Sequence, residues 1–145
     1  MKKKLFCLLA VIIILASTFN ICAAAAYIPP DSPDASSYIS SYSVSIHNGG
    51  SGKLKVQFWV TGTGTMTKIG ATCIRIYKSN GTYVTTIWNT DSGRSGMLGS
   101  NKIYHSDIET INVSSGSYYA VVYVFARNSS GSDTITVTTG TKTIT

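Results

Sequence analysis

From Tyr38 to the C-terminus, apolar and polar residues alternate with a period of two. Tyr42, Val44 and Ile46 alternate with serines, and Leu54, Val56, Phe58 and Val60 alternate with Lys53, Lys55, Gln57 and Trp59. Ile135 and Val137 alternate with Thr134, Thr136 and Thr138. Successive side chains of a strand point to opposite faces, so this pattern predicts half-buried β-strands. Further strands are expected over residues 68–78, 82–89, 107–113 and 117–128, punctuated by glycine- and serine-rich turns at 47–52, 79–81 and 114–116. Asn80-Gly81 suits the positive φ angles of a tight hairpin, which predicts antiparallel pairing of Ile74–Tyr77 with Tyr83–Trp88. No stretch of eleven residues carries a helical stripe. About seven short strands joined by turns point to an all-β protein, an antiparallel β-sandwich.

The N-terminus follows another rule. Lys2, Lys3 and Lys4 precede an apolar run from Leu5 to Ala16, and Ala24, Ala25 and Ala26 close the segment. A charged start, an apolar centre and a small-residue end read as a signal-peptide helix over residues 1–26, cleaved near Ala26. The run is shorter than the roughly 20 residues a membrane-spanning helix needs, so an uncleaved anchor is the lesser alternative. Ile21 before Cys22 disfavours a lipidated cysteine. All three prolines fall within residues 27–37, which predicts an extended leader before a domain at 38–145.

Removal of the signal changes the composition. The whole-chain charge of +6 falls to +3, with nine Lys and Arg against six Asp and Glu. The basic residues are scattered, which excludes the clustered footprint of a nucleic-acid binder. Weak attraction to anionic cell-wall polymers is one use for such a charge, and plain solubility is another. Cys7 and Cys22 leave with the signal, so Cys73 has no partner for a disulfide and stability must come from packing. No membrane association is expected after cleavage, and no cofactor motif is present.

Two resemblances sharpen this reading. The stretch from Tyr118 to Gly131 resembles strand F and the following turn of immunoglobulin-like and fibronectin type III-like domains. Tyr118 and Ala120 match the corner tyrosine and the inward position two residues later, whereas counting back from Ala126 places that tyrosine at Ala120. The segments Gly62–Ala71, Gly96–Lys102 with His105-Ser106, and Ala126–Asp133 resemble a family of small secreted proteins of Clostridia-type gut bacteria, a family of unknown function. That resemblance implies export, Gram-positive origin and one β domain. It implies no catalytic residues.

Catalytic and metal-binding constellations are weak. His105-Ser106-Asp107 brings a triad to mind, but on a strand Ser106 faces away from the other two. Cys73 with His47 or His105 is a conceivable thiol nucleophile; its place after Ile69 and Ala71 instead predicts a buried apolar role. The carboxylates Asp91, Asp107, Glu109 and Asp133 are not set across a cleft by any sequence signal. Two histidines and one thiol lack zinc spacing, and Asp31, Asp34 and Asp91 lack the crowded loop of a calcium site.

Aromatic residues offer more. With Tyr118, Ala120, Val122 and Val124 inward, Tyr119, Tyr123 and Phe125 share the opposite face, which Tyr77 and Trp88 would extend. Flat rings on a sandwich face suit sugar rings or partner proteins, although a covering leader or second subunit would explain them equally. The glycine- and serine-rich segment Asn89–His105, read as the longest loop, adds Arg94 and Asn101 as candidate ligand contacts. The expected function is therefore a secreted, non-catalytic binding module acting outside the cell or at its surface. A small hydrolase and a self-associating surface protein are the alternatives.

Overall fold

The computed structural model describes residues 36–145. The expected signal segment 1–26, most of the leader, and Cys7, Cys22, Asp31 and Asp34 lie outside the described residues. Nine strands follow: β1 (Ile39–Asn48), β2 (Lys53–Met66), β3 (Lys68–Lys78), β4 (Tyr83–Trp88), β5 (Leu98–Gly99), β6 (Lys102–Asn112), β7 (Gly116–Arg127), β8 (Ser132–Thr138) and β9 (Lys142–Ile144). One sheet has the order β1-β2-β6 and the other β4-β3-β7-β8, with β5 beside β3 and β9 beside β7. All pairings are antiparallel.

The alternation read from the sequence builds the core. Leu54, Val56, Phe58 and Val60 of one sheet meet Ile74, Ile76, Ala120, Val122 and Val124 of the other in a single apolar cluster. Tyr118 is fully buried at the start of β7, and its hydroxyl donates to the Ser114 carbonyl at 2.8 Å. The hairpin of β3 and β4 forms as expected, with Gly81 at φ 86° in its turn. Ser36 and Tyr38 tie the first described residues to the start of β8 in the other sheet through the Asp133 carboxylate, at 2.6 and 3.0 Å.

Two departures from the sequence reading matter. A bulge at Thr72 shifts the register of β3 against β7 between Ala71 and Cys73. Upstream of it Ile69 and Ala71 face the core; downstream Ile74 and Ile76 do, and Cys73 moves to the outer face. Cys73 is buried, as expected, but outside the apolar core.

The segment Asn89–His105 is also more ordered than a loop. A turn of 3-10 helix spans Ser95–Met97, β5 pairs with Ile69 and Gly70, and β6 already begins at Lys102. Its glycines hide these elements from a composition reading. Gly70, at φ 145°, lets the Met97 carbonyl approach so closely that a side chain there would collide with it.

Candidate functional site

The outer face of the sheet built on β4-β3-β7-β8 collects the aromatic residues. Tyr77 opposes Tyr119 on β7 and Tyr83 on β4, and Cys73 opposes Tyr123 and Trp88. Directly opposed residues of antiparallel strands share a face, so the register alone assembles this surface. Tyr77 and Tyr119 stack with centroids 5.3 Å apart and planes 13° apart. Tyr83 meets Tyr77 edge-on at 5.8 Å, and its hydroxyl donates to Thr86 Oγ1 at 3.0 Å.

A second row lies beside the tyrosines. The Arg75 guanidinium sits 5.2 Å from the Tyr123 ring centroid, a cation–π contact on a sheet surface. Trp88 is 46 % exposed and Tyr83 57 %. Thr134, Thr136 and Thr138 of β8 line the flank opposite Phe125, Tyr123 and Val121 and add hydroxyl groups. Rings for contact, a fixed cation and hydroxyls for hydrogen bonds are the ingredients of a recognition surface.

Cys73 lies within this surface, flanked in register by Trp88 and Tyr123. Burial pushes its thiol pKa up, against the opposing pull of Arg75 beside it. The protonated thiol therefore dominates at neutral pH, which weakens the nucleophile reading.

Arg94 and Asn101 go elsewhere. Arg94 Nη1 donates to Glu109 Oε2, and the two form an ion pair across the open side of the sandwich. Glu109 sits on the inner face of β6 opposite Val56 and is 4 % exposed. Burial raises its carboxyl pKa first; Arg94 pulls it down and Asp107 pushes it up. Arg94 thus closes an edge of the core. Asn101 occupies the turn before β6 at φ 55°, near the β3 end that carries Lys68 and far along the strand from Tyr77.

The remaining polar candidates have structural partners. His105 and Asp107 face inward while Ser106 opposes Trp59 on the outer face, so the three do not converge. His105 Nε2 donates to the Gly96 carbonyl at 2.7 Å. Asp91 accepts from the Trp88 amide at 2.8 Å, and Asp133 is held by Ser36 and Tyr38. Among the described residues no three His, Cys, Asp or Glu side chains gather as metal ligands.

Sequence reading missed Arg75 and Tyr83. Arg75 was visible as the residue between Cys73 and Tyr77 in the same alternation, and Tyr83 as the hairpin partner of Tyr77. No helix of the described residues is long and apolar enough to cross a membrane. No protein-family model, curated protein or solved structure matches the chain.

Proposed function

We propose that this chain is a secreted, non-catalytic binding module of immunoglobulin-like topology, working outside the cell or at its surface. The observation that carries the reading is the continuous platform of Tyr83, Tyr77, Tyr119, Tyr123 and Trp88, with Arg75 fixed over Tyr123. Stacked and edge-on rings hold one another in place, so a sugar ring or partner surface meets them at little entropic cost. A glycan or cell-wall polymer fits the mixture of rings and hydroxyls best. A protein partner is the second choice.

The topology supports the finer fold assignment. Three strands in the order β1-β2-β6 facing four in the order β4-β3-β7-β8 is the arrangement expected of a fibronectin type III-like sandwich. Tyr118 bonds back to the Ser114 carbonyl at the corner before β7, as a corner tyrosine should. Export rests on the signal-like residues 1–26. The non-enzymatic reading draws support from the structural bonds that occupy Asp91, His105, Glu109 and Asp133.

The test is a binding screen of the purified protein against glycans and isolated cell-wall fractions, repeated with Trp88→Ala and Tyr123→Ala. Each substitution should weaken an interaction found for the parent by about threefold to tenfold. Binding left unchanged by both would remove the platform from consideration.

A further inference from the structure

We propose that the outer face of the β1-β2-β6 sheet is a second binding surface, and that its ligand is an anionic polysaccharide. This surface lies on the opposite side of the sandwich from the tyrosine platform and does not depend on that platform binding anything.

The register places its chemistry. On β2 the outward positions run Lys53, Lys55, Gln57, Trp59 and Thr61, while Leu54, Val56, Phe58 and Val60 fill the core between them. Trp59 lies within 6.4 Å of Tyr104 on β6, centroid to centroid, with the ring planes 30° apart. Tyr104 is 52 % exposed. These rings form an apolar shelf at one end of the sheet.

The other end is basic. Lys55 is exposed and opposes exposed His47 on β1, and Lys53 follows two positions along. Gln57, flanked in register by Ser45 and Ile108, lies between the lysines and the aromatic shelf.

Charge selects the ligand. Every described carboxylate is directed elsewhere: Asp107 and Glu109 face inward from β6, Asp91 caps the end of β4, and Asp133 binds Ser36 and Tyr38. Among the described residues no acidic side chain therefore offsets Lys53 and Lys55 on this face, and its potential favours a polyanion. Rings to stack on, an amide and hydroxyls between, and lysines at the end suit a sugar chain bearing carboxylates. From Trp59 to Lys55 is four strand residues, on the order of 13 Å. A single sugar does not bridge that span, so the ligand is an oligomer or polymer lying along β2.

The test is affinity electrophoresis of the purified protein in native gels containing polygalacturonate, alginate or hyaluronate, with methyl-esterified polygalacturonate as the neutral control and dextran sulfate as the charge control. At least one uronate polymer should retard the protein, and the neutral ester should not. Trp59→Ala should weaken the retardation about tenfold. The double substitution Lys53→Ala/Lys55→Ala should weaken it comparably and flatten its dependence on salt. Arg127→Ala, at the exposed end of β7 on the other sheet, removes a charge without touching this face and should leave the retardation unchanged, which separates a built surface from net charge. Circular dichroism of each variant checks that the fold is intact, and Lys55→Arg should retain binding. The proposal is overturned if no uronate polymer retards the protein. It is equally overturned if dextran sulfate binds as well and Trp59→Ala changes nothing, which is simple ion exchange, or if sedimentation shows a dimer that Tyr104→Ser and Ile108→Ser convert to monomer, which would make the face a self-association surface.

Discussion

Arg94 illustrates how much one side chain can depend on a partner distant in sequence. Its guanidinium neutralises a carboxylate that β6 carries into the sandwich opposite Val56. Removing it leaves Glu109 charged and unpaired in a desolvated place, and breaking a buried pair is far more costly than never having one. Arg94 itself is 32 % exposed, which moderates the cost. Arg94→Ala should therefore lower unfolding stability by about 2–4 kcal/mol in urea denaturation, while Arg94→Leu with Glu109→Leu should recover most of the loss. Nothing in the sequence marks this pair, because the fold and not local spacing brings residue 94 under residue 109. The aromatic face, by contrast, was partly legible. Alternation in residues 117–128 put Tyr119 and Tyr123 on one face and the Asn-Gly hairpin put Trp88 beside β3, but Tyr77 joins them only because the Thr72 bulge reverses the alternation that Ile69 and Ala71 begin.

At the scale of elements, β3, β4 and β7 begin and end within a residue of their expected limits, because the turns around the Asn80-Gly81 hairpin and before Gly116 are plain in the sequence. The ones that differ do so for physical reasons. β6 starts five residues earlier than expected because the segment before it is rich in glycine and serine, a composition that marks loops only on average. β5 exists because Gly70 offers β3 a bare backbone surface against which the Met97 carbonyl can rest. Gly70→Ala combines an unfavourable φ of 145° with a collision against that carbonyl and the His105 ring. It should destabilise the protein by about 2 kcal/mol or more, and amide exchange should show the loss concentrated in residues 95–105. A uniform loss across both sheets would contradict this account.

At the scale of the whole molecule, two carboxylates give acid stability opposite slopes. The Asp133 carboxyl is held below its usual range, first by the Ser36 hydroxyl and then by the Tyr38 amide. Its contribution is present above the ordinary aspartate pKa and is lost as pH falls through the lowered value. Glu109 is raised by burial, so its contribution has the other sign and declines as pH climbs from the ordinary glutamate value through the raised one. Stability should accordingly peak in mildly acidic solution, between those two windows. Asp133→Asn should flatten the acid side of the profile and leave the other side in place, as thermal unfolding across a pH series would show.

The extra residue at Thr72 works as a change of reading frame. Before it, odd-numbered positions of β3 belong to the interior; after it, even-numbered ones do, and Cys73, Arg75 and Tyr77 are turned outward together. Substitutions on the outer positions can therefore drift, and with them whatever the surface recognises, without touching the packing behind. The bulge itself cannot be straightened. Were Thr72 drawn into regular pairing opposite Tyr123, a guanidinium and a phenol would turn inward and two isoleucines out, whereas loss of Thr72 would leave every face in place, so descendants of this chain should keep the bulge or drop its one extra residue and never flatten it.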